Sequence, residues 1–204
     1  MRNILFPTIL AITLLSGCAL KKATQPQPEQ TVFNKAQRNA HVQQLNQWTI
    51  KGKIAYITKK DRQSASLHWQ FNAPEQSQQL NLTTYLGINV LSLHSQLGLH
   101  TVSVDGDEYQ SENLDELITA LTGWTIPTKA MDHWLKGLVY NSNDIITYDP
   151  ATELPLKLTS LYDDKIWQID YGNYQQVGQV QLAKKFTIKQ NGLVIKIMIN
   201  RWKL

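Results

Sequence analysis

From Trp48 onward the chain alternates. Trp48, Ile50, Gly52, Ile54 and Tyr56 fall on one side of a period of two, against Thr49, Lys51, Lys53 and Ala55 on the other. Ala65, Leu67, Trp69 and Phe71 then oppose Ser64, Ser66, His68 and Gln70, and Leu80, Leu82 and Thr84 oppose Asn81, Thr83 and Tyr85. Further strands are predicted at 88–94 and 99–104, with breakers at 58–63, 72–78, Leu86-Gly87 and 105–107. Clean alternation at short spacing means antiparallel sheet with one face covered and one wet.

Two helical stretches interrupt the strands. Asn113-Leu114-Asp115-Glu116 has the form of a capping box, and Leu114, Leu117, Ile118 and Leu121 follow at helical spacing before Gly123 closes the turn. Thr128 is placed to cap a second helix carrying Met131, Trp134 and Leu135 and closed by Gly137. Strands resume near 156–162, 166–171, 180–189 and 193–202, with hairpin turns at Asp163-Asp164 and Asn191-Gly192. Upstream, Phe33 to Gln47 lacks Gly and Pro and carries only a thin stripe of Phe33, Ala36, Ala40 and Leu45, which predicts a surface helix. The predicted order is one helix, five or six strands, two helices and four strands. Long runs of antiparallel strands with one apolar face either close into a barrel or curl around something. The concave side of such a sheet is the place available for the stripes of the two central helices.

The first residues read differently. Arg2 precedes a mostly apolar run from Ile4 to Leu15, broken by Pro7, Thr8 and Thr13. It is shorter than the about 20 residues a bilayer span needs and fits the core of a secretory signal peptide. Leu15-Ser16-Gly17-Cys18 resembles the bacterial lipobox, in which the cysteine thiol is diacylated, the leader is cut before it and the new amine is acylated. The alternative is an ordinary signal peptide with an incidental Cys18. Residues 1–17 are thus read as signal peptide, 18–31 as lipidated cysteine and flexible tether, and 32–204 as the functional domain. One acyl chain holds a bilayer marginally, whereas two or more hold it stably. Ala19 stands where many enterobacterial lipoproteins kept in the inner membrane have aspartate, so the implied address is the outer membrane, facing the periplasm.

Composition narrows the classes. With 42% hydrophobic residues, 18% charged and a mean hydropathy of −0.32, the 204-residue chain is neither polytopic in a membrane nor disordered. One cysteine rules out an internal disulfide. A net charge of +4 is too mild to imply nucleic acid. The charge is uneven, however: residues 18–62 hold nine Lys/Arg and two acids, 63–128 hold seven acids and no Lys/Arg, and 184–204 hold six Lys/Arg and no acid. Basic segments beside a lipid anchor either meet anionic headgroups or an acidic partner, or form a solvated face.

Candidate chemistry is sparse. The histidines at 41, 68, 94, 100 and 133 show no HxH or HExxH spacing. Asp105, Asp107 and Glu108 lack the glycine a calcium loop needs at its sixth position and read as a hairpin turn. No GxSxG, GxxxxGK[ST] or GxGxxG occurs, so no catalytic residue, metal or cofactor is expected. A dispersed Ser/His/Asp triad, defined by geometry, stays open. Six tryptophans, at 48, 69, 124, 134, 167 and 202, either fill a core or line a lipid cavity. Tyr85-Leu86-Gly87-Ile88 sets large apolar residues at a turn, either buried or aimed at a membrane or a partner.

Several segments together resemble the LolB family of Gram-negative outer-membrane lipoprotein receptors, over essentially the whole mature domain. They are Trp48-Thr49-Ile50-Lys51-Gly52-Lys53-Ile54-Ala55-Tyr56, Leu67-His68-Trp69-Gln70, Leu86-Gly87, Leu121-Thr122-Gly123 before Ile126-Pro127, and Trp134-Leu135-Lys136-Gly137-Leu138. Trp167, Tyr171-Gly172 and Asn200-Arg201-Trp202 complete the set. Tyr85 departs from the family, in which Pro often precedes the Leu-Gly.

The resemblance implies an unclosed antiparallel half-barrel of about eleven strands with an α-helical lid over an apolar cavity. That cavity accepts the acyl chains of lipoproteins brought by a soluble LolA-like carrier and passes them to the outer-membrane bilayer. Cavity tryptophans carry over onto Trp69, Trp134, Trp167 and Trp202, with Leu67, Leu82 and Met131 counted beside them, and membrane targeting onto Leu86. The protein is then a monomeric receptor anchored at Cys18, needing no cofactor. Three alternatives are a soluble carrier, disfavoured by the lipobox; a structural lipoprotein of an assembly complex, with a solid core; and a lipid-anchored hydrolase, with convergent polar groups.

Overall fold

The computed structural model describes residues 34–123 and 126–204. The leader, Cys18, the tether, Phe33 and Trp124 lie outside these residues. The first helix, α1 (Lys35–Gln43), opens on a capping box: Asn34 accepts from the Gln37 amide at 2.9 Å, and the Gln37 side chain accepts from the Asn34 amide at 3.1 Å. It stops short of the predicted Gln47, because the first strand already starts there. Six strands follow, β1 (Gln47–Ile57), β2 (Arg62–Asn72), β3 (Ser77–Thr83), β4 (Asn89–Gln96), β5 (Leu99–Val104) and β6 (Asp107–Ser111). After α2 (Leu114–Thr122) and α3 (Thr128–Lys136) come β7 (Ile145–Tyr148), β8 (Pro155–Tyr162), β9 (Lys165–Val177), β10 (Val180–Gln190) and β11 (Leu193–Lys203).

All eleven strands form one antiparallel sheet in the order β6-β5-β4-β3-β2-β1-β11-β10-β9-β8-β7. The first six run outward from β1, and the last five return inward to β11, which closes the centre against β1. Two edges stay open, β6 and β7. The chain between them carries α2 and α3, so the connection runs from one edge of the half-barrel to the other, and the apolar stripes of both helices are buried on the sheet. On α2, Leu114, Leu117 and Ile118 pack with Leu93 and Val102. On α3, Met131, Trp134 and Leu135 enter the main core. Both edge strands escape the hydrophobic pattern for one reason: β6 is mostly exposed, and β7 is four residues long with Ile145 outward.

Turn chemistry follows the expected rules. Asp163-Asp164 and Asn191-Gly192 both have positive φ at two successive positions, as hairpin turns of type I′ require. Asp105-Gly106 does the same between β5 and β6, so those acids make a turn and not a cation loop. At α2, Asn113 accepts from the Glu116 amide at 3.3 Å as foreseen. At α3 the expectation fails. Pro127 is the N-cap, and Thr128 donates its amide and its hydroxyl to the Asp115 carboxylate on α2.

One irregularity sets the end of the core. Lys51 pairs with Arg201 but Gly52 with Ile199, leaving Asn200 as an extra residue in β11. Ile195, Ile197 and Ile199 point inward; the extra residue resets the alternation, and Trp202 points inward in turn. A Cβ on Gly52 would lie 2.1 Å from the Met198 carbonyl oxygen, so the bulge requires glycine opposite it.

Candidate functional site: the covered concave face

Several inward residues of the central strands are aromatic. Trp48 sits in the middle of one group, with ring centroids 5.1 Å from Trp69, 5.3 Å from Phe71 and 5.8 Å from Trp202. A second group lies against α3, where Trp134 is 5.9 Å from Trp167 and 6.4 Å from Tyr162. Trp69, Trp134, Trp167 and Trp202 are therefore gathered on one face, together with Leu67, Leu82 and Met131, in a single apolar cluster. All seven are buried, from 0% exposed at Trp134 to 8% at Leu82. Five of them stand on the sheet, and Met131 and Trp134 come from α3. Beside them, a groove of about 400 Å³ opens at the end of the sheet where β1 begins and β2 finishes; Trp48 and Phe71 reach it, among Gln47, Gln70 and Gln78.

Polar bonds fasten α3 along one side. Trp48 Nε1 donates to Asp132 Oδ1 at 2.9 Å. Lys136, nearly fully buried, pairs with Asp132 at 2.8 Å and donates to the Leu45 carbonyl at 3.1 Å. Arg38 reaches from α1 to the Lys136 carbonyl at 2.9 Å, and Tyr171 donates to the Trp134 carbonyl at 2.9 Å. These two donors meet the carbonyl end of the helix, where its dipole favours a cation. Burial pulls the Arg38 guanidinium below its ordinary value, an effect partly opposed by Tyr174, Tyr148 and Tyr171. Across the lid, Asp115 binds α2 to α3 through Thr128 and to β8 through the Tyr162 hydroxyl at 2.8 Å. Burial, then that bond, pushes the Tyr162 hydroxyl well up.

Sequence reasoning singled out the apolar lining and missed these polar fasteners. The Asp132–Lys136 pair was readable from its four-residue spacing on a helix. Asp115, Arg38 and Tyr162 gave no such signal, because their partners are distant in the chain.

The loop between β3 and β4 carries the remaining prediction. Thr84 accepts from the Gly87 amide with its carbonyl and from the Ile88 amide with its hydroxyl, and its own amide donates to Ile88. This tight frame leaves Tyr85 96% exposed, Leu86 81% and Ile88 62%. The buried alternative for the loop is excluded by that exposure. Among the described residues, no cluster of three His, Cys, Asp or Glu side chains is placed to hold a metal ion, and no helix is long and apolar enough to cross a membrane.

The sequence profile described as "Outer membrane lipoprotein LolB" matches residues 46–202, which hold every strand of the sheet except the last residue of β11. The chain belongs to the LolB family. It is 34% identical to the outer-membrane lipoprotein LolB of Shewanella denitrificans over 200 residues, covering 98% of this chain and 93% of that one. With LolB of Aeromonas hydrophila it shares 34% identity over 196 residues, 96% of this chain and 94% of the relative. The fold extends further than the sequence does. A LolA superfamily protein from Nitrosomonas europaea superposes with a TM-score of 0.52 at 7% identity, covering 79% of this chain and 87% of the other. A DUF1329 family protein from Desulfovibrio piger gives 0.55 at 9% identity, over 83% and 90%. The fold is thus shared with chains that are 7% and 9% identical in sequence, and the LolB profile covers both aromatic groups and the exposed loop.

Proposed function

We propose that this protein is an outer-membrane receptor that takes acylated proteins from a LolA-like carrier, holds their chains against the concave face beneath α2 and α3, and delivers them to the bilayer. The observation that carries the proposal is the pairing of a continuous apolar concave face with a cover of only two nine-residue helices. Cys18 anchors the domain, and the Tyr85–Ile88 loop, with Leu86 at its tip, meets the membrane.

Magnitudes favour displacement of the cover by cargo. Burying Met131, Trp134 and Leu135 of α3 with Leu114, Leu117 and Ile118 of α2 contributes about 9–18 kcal/mol, taking about 1.5–3 kcal/mol for each large side chain, which several acyl chains together exceed. One acyl chain of roughly sixteen carbons gains about 13 kcal/mol on burial, at about 0.8 kcal/mol per methylene. Three such chains would cost on the order of 38 kcal/mol to expose to water, so transfer proceeds from cavity to cavity and then into lipid. Direction comes from the difference in affinity between carrier, receptor and bilayer.

Transfer of a labelled triacylated lipoprotein from its carrier to this protein, and then into vesicles, tests the reading. Formation of a complex followed by insertion is the expected result. Close packing of the seven inward residues supports a second reading, a structural lipoprotein with a solid half-barrel core. Failure to take up acylated cargo at any concentration selects that one.

A further inference from the structure

Most indole N–H groups on the concave face have partners. Trp48 donates to Asp132, Trp69 to Gln78 at 3.1 Å and Trp202 to the Ala183 carbonyl at 3.0 Å. Trp134 and Trp167 do not: both Nε1 atoms are buried without a hydrogen-bond partner. So is the hydroxyl of Ser160. The three residues are neighbours. Ser160 on β8 stands directly opposite Trp167 on β9, and the Trp167 ring is 5.9 Å from that of Trp134 on α3. Trp134 and Trp167 are 0% exposed and Ser160 is 1% exposed.

Buried polar groups without partners are rare, and each is destabilising unless something occupies it. Alternation along β8 turns Leu158, Ser160 and Tyr162 inward, so a hydroxyl stands where the pattern offers an apolar side chain. The tyrosine in that series is already engaged with Asp115. An indole nitrogen only donates, and a serine hydroxyl can donate. Three unpartnered donors carried by neighbouring residues in an apolar surround call for an acceptor that brings no proton of its own.

We infer that Ser160, Trp167 and Trp134 form a polar subsite for the carbonyl oxygen of an ester- or amide-linked acyl chain. The inference rests on the receptor reading and adds to it the recognition of the chain's head as well as its tail. Hydrocarbon is bound by the rest of the concave face and carries no address. A carbonyl is present once per chain at its attachment point, so a donor cluster fixes how deeply the chain is seated. With two donors on the sheet and one on the helix, a seated carbonyl also bridges cover and wall.

The test uses two synthetic lipopeptides built on glyceryl-cysteine, one with ester-linked hexadecanoyl chains and one with ether-linked hexadecyl chains. A phospholipid with the same ester-linked tails is a third probe, separating a lipoprotein source of the carbonyl from a bilayer source. The mature wild-type domain is expected to bind the ester lipopeptide about threefold to tenfold more tightly than the ether form, the range one or two net hydrogen bonds supply. Ser160→Ala and Trp167→Phe are expected to remove that preference by weakening the ester form alone. Trp167→Phe keeps a ring in place, and Ser160→Ala deletes one oxygen, so the second decides if the first does not fold. Equal binding of ester and ether forms by the wild type overturns the subsite and leaves the receptor reading standing. Binding of neither overturns both. Preference for the ester phospholipid over the ester lipopeptide assigns the subsite to membrane lipid and overturns its role in cargo recognition.

Discussion

Trp48 and Asp132 are joined by a 2.9 Å hydrogen bond that links the first strand of the sheet to the last helix laid over it. The same carboxylate holds Lys136, whose ammonium is almost wholly buried and has the Leu45 carbonyl as its other partner. One side chain thus satisfies a buried indole and a buried cation.

Removing it leaves both uncompensated. Asp132→Ala is expected to destabilise the domain by about 2–4 kcal/mol, the cost of an orphaned donor together with an unpaired and largely buried charge. Trp48→Phe, which removes the donor and keeps a ring, costs about 1–2 kcal/mol. Urea unfolding midpoints of the two variants check the ranking.

Asp115 is the second fastening, accepting from Thr128 on α3 and Tyr162 on β8. Asp115→Ala is expected to cost about 1–3 kcal/mol and to speed hydrogen exchange in α2 and α3 more than in β9 to β11. If the helices must swing aside for cargo, uptake of an acylated lipoprotein becomes faster in this variant even as the fold weakens. Slower uptake together with faster exchange contradicts the displacement mechanism.

Leu86 projects into solvent and contributes little to the fold. Leu86→Glu is therefore expected to leave the melting temperature and cargo acceptance unchanged while slowing release into vesicles by about tenfold or more, since about 2 kcal/mol of apolar insertion is lost. A vesicle-insertion assay reads this directly. Normal insertion by the variant removes the loop from the mechanism.

Gly52 faces the bulge at Asn200, where a Cβ would meet the Met198 carbonyl oxygen at 2.1 Å and Ile199 Cα at 2.9 Å. Both are backbone atoms, so no side chain can turn away to make room. Gly52→Ala is expected to cost about 2–4 kcal/mol by forcing β1 from β11. Thermal unfolding tests this, and intrinsic fluorescence reports the accompanying displacement of Trp202.

His133 on α3 has its pKa lowered, first by burial and then by Lys136, with Asp132 and Asp144 opposing. The unfolded chain then binds a proton more readily than the native one, so stability falls as pH drops below the ordinary histidine value of about 6.5 and is unaffected well above it. His133→Gln is expected to flatten that part of the stability profile. A slope unchanged by the substitution assigns the acid sensitivity to other groups.

The sheet was legible in the sequence because its central strands alternate over long runs, in β1 and β2 from Trp48 to Phe71 and in β11 from Leu193 to Ile199. The edges were not. In β6, Asp107 to Ser111 carries one aromatic among polar residues, and a strand exposed on both faces leaves no period to read. The end of α3 was foreseen from Gly137, which lies at φ +70 with Pro155 packed close by. Its start near Thr128 was foreseen too, but the capping role was not fulfilled, because Thr128 is used by Asp115 across 13 residues of chain rather than by its own helix. The seven residues share one cluster, as their apolar character implies, whereas the contacts that hold the cover, Asp132–Lys136 apart, depend on tertiary neighbours that no spacing rule connects.

The covalent route of the chain has a mechanical result. Because α2 and α3 lie on the only stretch that joins the two free margins of the sheet, they act as a string drawn across a bow. The string cannot rise from the middle while both of its attachment points stay fixed, so lifting the helices draws on slack in the short connections at Ser111–Asn113 and Val139–Asp144 or bends the limbs of the bow. Opening of the sheet and height of its cover are then coupled, and whatever lifts the string pulls on both rims.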